Sequence, residues 1–446
     1  MMTIAPDLMR AVPTWPPGTL SPVDEARFAR YVEALAFWQG EQWPTPARRG
    51  EHRLVFNYAR TLIRKTASYV FPGPVAFAIA PRDDTPIARE QANRAERVLL
   101  DALVQADGPR LDLALAIDAS VLGDAAIKVT WDATRQRPRI VAVDPATLVV
   151  RTAADDPRVV HTVTHAYGMT GEELAMVLGV TSELEASRRY PVVETWTSAR
   201  WQLAVAGQVL RDEANPYGAI PYVIATNDPR PFAFWGQSDL VDLTDVCVEI
   251  NARMTVLSQV LELSGAPIAV LENVDGSEGI RVGPGAKWEL PEGAKAYLID
   301  LLQGGGTDVH LAYIERLFRI LHDLSETPRT AFGDANRDLS GAALEVEIQP
   351  LIQKVARKRR MWDAFFAQRN ALVLDLLERF SGEDVGGHRV TSTIWPPVLP
   401  SDRSTAVRNE VSLVDAGLRS RRSAIAALGG TDPDAELALI ADETSG

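Results

Sequence analysis

The chain has 446 residues, 46% of them hydrophobic, a formal net charge of -13 and one cysteine. That length supports two to four domains with sizeable cores. The acidic balance argues against a protein that clamps nucleic acid by its net charge, and a single cysteine excludes an intramolecular disulfide and a zinc–cysteine cluster.

Residues 1–20 are proline-containing and without periodicity, which predicts a flexible arm; they lack the basic and apolar regions of a signal peptide. No run of 18 apolar residues occurs, so no membrane span is expected; with Cys247 the only cysteine, the cytosol is the default compartment. Ser21 followed by Pro22, with Asp24 three residues on, marks a helix start that should run to about Phe37. A second helix is expected over 57–70, ended by Pro72-Gly73-Pro74. A third begins at Thr85-Pro86 and runs to about Ala106, burying Val98, Leu99, Ala102 and Leu103; a fourth spans 111–122 and stops at Gly123.

The period then changes. "AAIKVTWD", "PRIVAVD", "TLVVRT" and "RVVHTVTHAYG" are short, β-branched and partly alternating, and "PVVETWTSARWQLAVAGQVLR" has the form of a hairpin. Together they predict a mostly antiparallel sheet over 124–226, interrupted by a short helix at "MTGEELAMVLGV". Residues 239–264 return to helix without proline or glycine, a span of roughly 39 Å. Residues 265–308, rich in glycine and proline, read as a small β-rich module inserted before a helix over 308–324. A polar loop, "SETPRTAFGDANRDLSG", leads to a long helical stretch over 340–380 that contains Pro350. Short helices fill 401–446, one ending at Gly429 and another beginning at Pro433.

Pro350 loses the bond to the Val346 carbonyl and crowds it, at about 3 kcal/mol. The stretch is therefore one bent helix or two helices meeting at Gln349; strong helix formers on both sides favour the first.

Little here is catalytic. There is no phosphate-binding loop of the G-x-x-x-x-G-K-[ST] type and no G-x-S-x-G elbow. His161 and His165 lie four apart in a strand, a weak metal pair without a third ligand and more simply a half-buried strand face. The doublets Asp83-Asp84 and Asp155-Asp156 sit beside prolines, where turn or cap use outweighs paired catalysis. The basic run "KVARKRR" puts Lys354, Arg357 and Lys358 near one helical face, extended by Arg359 and Arg360; a solvated face, an inter-subunit contact or phosphate binding all fit it. No cofactor is implied. The residues suggest a helical scaffold with one inserted module.

Four blocks, in order, resemble those of tailed-bacteriophage portal proteins. They are "NYARTLIRKTASYVFPGPVAFAI"; "YGAIPYVIATNDPRPFAFWGQSDLVDLTDVCVEINARMTVLSQVLELSGAPIAVL", with its G-x-I-P strand, an Asn, G-x-S-D-L and Ile-Asn; "LSGAALEVEIQPLIQKVARKRRMWDAFF"; and "IWPPVLPSDRSTAVRNEVSLVDAGLRSRRSAIAALGGTDPDAELALIADE". They are most similar to the siphophage type, which forms the head–tail connector at the packaging vertex.

The resemblance implies an α+β portal-type fold. Residues 21–235 with 342–400 form a wing, 236–264 and 309–325 two stem helices, 265–308 a clip, 326–341 a tunnel-loop region with Arg329, Asn336 and Arg337 as DNA-facing candidates, and 401–446 a crown. Pro350 would bend the long wing helix. The implied assembly is a ring of twelve subunits in the virion, with the major capsid protein, terminase large subunit, head–tail adaptor, scaffolding protein and passing double-stranded DNA as partners. A nucleic-acid-processing enzyme is the alternative class but lacks a phosphate loop or a carboxylate metal cluster. Another connector or adaptor protein fits the long helix and its Gly/Pro-rich insert less well.

Overall fold

The computed structural model describes residue 15 and residues 18–180, 184–265, 269–272, 292–298, 306–333, 341–399, 403–428 and 433–445. Most of the arm and of the 265–308 module, and the loop positions Asn336 and Arg337, lie outside the described residues. Trp15 does not belong to a free arm: its ring stacks on Phe28, with centroids 6.0 Å apart.

The first helices start where their caps place them. α1 (Pro22–Gln39) is opened by a capping box between Ser21 and Asp24 and closed by Gly40 in the left-handed region. α2 (Tyr58–Val70) begins at Asn57, whose side chain accepts from the Arg60 N–H. α3 (Pro86–Gln105) is capped by Thr85. α4 (Gly108–Leu122) starts three residues earlier than expected, because Asp107 takes a positive φ and Pro109 supplies a preset first turn.

The expected single sheet is two. β2 (Asp124–Asp132) is the centre of a three-stranded antiparallel sheet in the order β3-β2-β9, with β3 (Arg137–Val143) and β9 (Tyr222–Thr226) as its edges. A second antiparallel sheet runs β4 (Leu148–Thr152), β5 (Val160–Thr170), β6 (Arg189–Trp196), β7 (Arg200–Val205), β8 (Gln208–Ala214). The stretch read as one hairpin thus holds three strands, turning at Ala206-Gly207, both with positive φ. The short helix α5 (Gly171–Leu178) follows β5 directly through a capping box at Thr170. Val143, Val163, Trp196 and Tyr222 form the core between the sheets.

Two helices, α6 (Thr244–Gly265) and α7 (Gly306–Leu324), pack on each other and on α2 through Leu62, Ile63, Cys247, Ile250, Leu317 and Leu321. Between them, β10 (Ala269–Glu272) and β11 (Lys295–Leu298) form an antiparallel pair. α8 (Gly341–Leu376) is one α-helix through Pro350, not two meeting at Gln349, and it ends in a π turn at Leu377–Ser381 before Gly382. Pro350 and Val346 are both exposed, so the turn that lacks a backbone bond is on the water side, where the missing donor costs least. The buried face of α8 fits between α2, α3 and the three-stranded sheet, with Phe71, Trp362, Phe366 and Trp395 in edge-on and tilted contact at 5.3–6.2 Å.

Two further elements were not anticipated. β1 (Ala76–Ala78) pairs with β12 (Ser392–Ile394), tying the turn after α2 to the segment after α8. The helices α9 (Arg403–Asp415), α10 (Arg421–Ala427) and α11 (Pro433–Ser445) are joined to α3 by Arg422, which pairs with both Asp434 and Glu96.

One close approach sets how the loop after β9 meets the turn after α4. A Cβ on Gly236 would lie 2.4 Å from the Gly123 carbonyl oxygen and 3.0 Å from the Asn227 nitrogen. Gly236→Ala is therefore expected to destabilise the fold by about 1–3 kcal/mol through overpacking. Gly73→Ala, which meets nothing within 4 Å, should stay within about 0.5 kcal/mol. Urea denaturation of both variants measures the contrast; equal midpoints would refute the steric account.

Candidate functional site

The root of the α6–α7 pair is a buried polar junction. Residues 239–243, expected as the first turn and more of the long helix, are turns instead, because Asp239 is used elsewhere. Its N–H donates to the Ser120 carbonyl at 2.9 Å, and the Ser238 hydroxyl donates to the Val121 carbonyl at 2.5 Å and accepts from the Leu240 N–H at 3.1 Å. The Asp239 carboxylate pairs with Lys358 Nζ at 2.8 Å and accepts from Asn227 Nδ2 at 2.7 Å. Lys358 also donates to Asn227 Oδ1 at 2.5 Å. Burial pushes the Asp239 carboxyl up, but the nearby Lys358 and Lys354 ammoniums and these hydrogen bonds outweigh it and hold it at about 2.

A second set of polar contacts laces α6 to the segment before α2. Asn251 accepts from the Phe56 N–H at 2.8 Å and donates to Gln42 at 2.8 Å. Thr255 accepts from the Leu54 N–H at 3.0 Å. The chain at 54–56 has no strand partner, so these two side chains satisfy its buried backbone donors.

On the far side, Asp124 Oδ1 accepts from the Gly236 N–H at 2.8 Å and Oδ2 accepts from the Tyr31 hydroxyl at 2.5 Å. Burial raises the Asp124 carboxyl to about 6, against those hydrogen bonds and the Arg27 charge. Arg27, itself buried, donates to the carbonyls of Pro145 and Leu148 and lies 3.8 Å from the Trp235 ring centroid.

Most of the basic run of α8 is engaged within the subunit. Lys358 is buried in the junction. Lys354 Nζ donates to the Ser325 carbonyl at 2.8 Å, and burial lowers its pKa. Arg357 pairs with Glu326 at 2.5 Å. Arg359 donates to the Val70 carbonyl and stands 4.7 Å from the Trp395 ring centroid; Arg360 is exposed. Lys354, Lys358 and Arg359 are drawn inward because α8 runs beneath α2 and the segment leaving α7, where carbonyls and carboxylates accept from them, while Arg357 and Arg360 stay exposed.

That segment is the start of the polar loop. Lys354 and Arg357 hold Ser325 and Glu326, and the Thr327 N–H donates to the His322 carbonyl at 3.2 Å. Arg329, in a single 3₁₀ turn at Arg329–Phe332, pairs with Glu315 of α7 at 2.5 Å, both half open to water. The loop thus leaves α7 from a fixed base.

No group of three metal-capable side chains occurs among the described residues, and no helix of the described residues is long and apolar enough to cross a membrane. His161 is exposed while His165 meets the Tyr222 hydroxyl at 3.0 Å and is pulled down to about 4 by burial, so the two do not form a pair. Asp83 and Asp156 accept from the backbone of Thr85 and Arg158, as turn residues do.

The junction makes a pH-dependent prediction. Asp239 has a folded pKa below the ordinary value of about 4, so its pairing adds stability above pH 4 that is lost as pH falls toward 2. Lys358→Met leaves the carboxylate buried without its cation, and the variant should lose about 3–5 kcal/mol at pH 7. Its carboxyl then prefers the protonated form, so the gap to the unsubstituted protein should narrow between pH 7 and pH 4. Urea titrations at both pH values measure this; a gap independent of pH would refute it.

The residues of this junction coincide with the sequence blocks noted above: Asn227, Gly236, Ser238, Asp239 and Asn251. No curated protein matches the chain. The family model described as phage portal protein, SPP1 Gp6-like, matches residues 24–262 and 311–446, and the chain belongs to that family of phage portal proteins.

Proposed function

We propose that this portal protein forms a ring of twelve subunits at one capsid vertex and that DNA passes along its axis in packaging and ejection. In this reading α6 and α7 are the stem, the 265–308 module is the clip that meets the head–tail adaptor and the terminase large subunit, and residues 326–341 face the bore. Residues 21–235 with 342–400 form the wing, in contact with the major capsid protein and, during assembly, with scaffolding protein. Residues 401–446 form the crown.

The observation that carries the reading is the helix pair with an insert at its far end, on a chain whose family match covers both flanks. The match stops at 262 and resumes at 311, the stretch that holds β10 and β11. A segment that departs from the family pattern while its supports keep to it suits a surface matched to one particular partner. The charge of -13 suits a conduit as well. Each phosphate neutralised by the wall adds salt-dependent affinity and holds the DNA back, so an acidic wall with few cations lets it slide.

Electron microscopy of the purified chain, with its mass in solution, tests the assembly. Rings with an axial hole and a mass near twelve times 48.7 kDa are expected; a monomer that persists at high concentration, with and without scaffolding protein, would overturn the reading. Arg329→Ala with Arg337→Ala should change DNA packaging or retention while rings of unchanged mass still form. Ordinary packaging and retention would remove both residues from the conduit.

A further inference from the structure

The loop at 228–237 presents an aromatic side chain that the subunit itself does not use. Its ends are pinned: Asp228 and Gln237 form a β-bridge, and Asn227 Nδ2 donates to the Gln237 carbonyl at 3.1 Å. Trp235 is buried under Arg27, and Phe234 meets Trp235 edge-on at 5.0 Å. Between these anchors, residues 228–233 are all exposed, and the tip is closed by the Ala233 N–H on the Arg230 carbonyl at 3.2 Å.

Phe232 at that tip is completely exposed and has φ +58. Bulky residues rarely take that conformation, and strain of this kind marks functional positions. Pro229 and Pro231 stiffen the presentation. A rigid, strained, fully exposed phenyl ring is what a contact residue needs and what a lone soluble subunit does not.

The same subunit carries a cavity of matching size. It has a volume of about 270 Å³ and is lined by Tyr31, Val32, Leu35 and Leu122, with Asp118 and Asp144 among its polar residues. A dry space of about 150 Å³ is enough for a benzene ring. Neither aspartate forms an ion pair among the described residues. Asp118 is exposed in the lone subunit, yet the protein around it still desolvates its carboxyl, which with Asp144 nearby is pushed up to about 6. Arg230, two residues before Phe232, is exposed and has no carboxylate partner among the described residues. An apolar hollow edged by carboxylates thus faces the chemistry of a phenyl ring beside a guanidinium.

The sheet register puts both features at one level. Asp124 and Ala126 of β2 face Thr226 and Ile224 of β9 on one side, and Ala126 faces Val143 of β3 on the other. The loop begins after β9 and the cavity wall at the end of β3, on either side of β2, and their inner ends meet at the Asp124 carboxylate through Gly236 and Tyr31, while the Phe232 tip and the cavity mouth are separate patches. A head-to-tail contact that closes into a ring joins two different patches of one subunit in this way.

We propose that Phe232 of each subunit inserts into the cavity between α1, α4 and the end of β3 on its neighbour, with Arg230 meeting Asp118 and Asp144. This rests on the ring reading above, and the experiment separates the two. The chain's single cysteine, Cys247, is buried, so engineered thiols report cleanly. In the full chain carrying Phe232→Cys and Leu35→Cys, treatment with a short bis-maleimide should give a ladder of covalent multimers on a denaturing gel, absent from either single variant. Rings that give no ladder, or a link formed within one subunit, overturn the docking while the ring reading stands; a chain that stays monomeric overturns both.

If the unsubstituted chain forms rings but the double variant does not, the monomeric double variant overturns neither reading and Phe232→Gly decides. Glycine accepts φ +58 without strain, so the Tm of the subunit should hold or rise while the concentration for half-assembly rises about tenfold or more. Rings as tight as those of the unsubstituted chain would overturn the docking.

Discussion

The fold turns on one buried ion pair. Lys358 comes from the long helix α8, Asp239 from the turns that precede α6, and Asn227 from just after β9, and each satisfies polar atoms of the other two. The long helix is thereby fixed to both ends of the 228–238 loop, more than a hundred residues away in sequence. A buried ion pair gains little net energy over a well-packed apolar group, because removing both charges from water costs nearly what their attraction returns. Its value is in specificity: only one arrangement of α8 against the α6 root pairs every donor. The adjoining contact of Gly123 with Gly236 adds a steric requirement, since any side chain at either place would hold the backbones apart.

From that point the helix pair projects with its polar bonds along one side. Asn251 and Thr255 take up the backbone of residues 54–56, while Cys247, Ile250, Leu317 and Leu321 supply the apolar seam. Lys354 and Arg357 hold the chain as it leaves α7. The α6–α7 pair is thus connected to α8 at both of its near ends. Any tilt of α8 is transmitted to the pair and to the base of the polar loop through short, charged contacts rather than through soft apolar packing.

Much of this was legible in the sequence because the local signals are strong. Ser21, Asn57 and Thr85 each cap a helix, and alternation gave the antiparallel strands. The split into two sheets was not legible: both have the same period, and only long-range pairing separates β9, which returns to β2, from the strands between. The basic run of α8 looked like a surface because charge is normally solvated; burial of Lys358 requires Asp239 and Asn227, more than a hundred residues away. Asn251 carried a signal that could have been taken further. It directly follows buried Ile250 in the α6 core, and a polar residue there must have a buried partner. Phe232 was not legible: Pro229 and Pro231 mark a stiff turn, but the exposure of the ring and its φ depend on the pinned loop ends.

Ring formation also changes what an open sheet edge means. All seven residues of β8 are exposed, and among the described residues no strand pairs with its outer side. Assembly raises the local concentration of every such edge, and identical edges pair readily into aggregates. Here the outer strand carries Arg211, Asp212 and Glu213, and its ladder with β7 slips between Leu203 and Ala204. Charge and irregular register are the usual guards against edge-to-edge growth. In an assembly of many copies they disfavour pairing of one such edge with another.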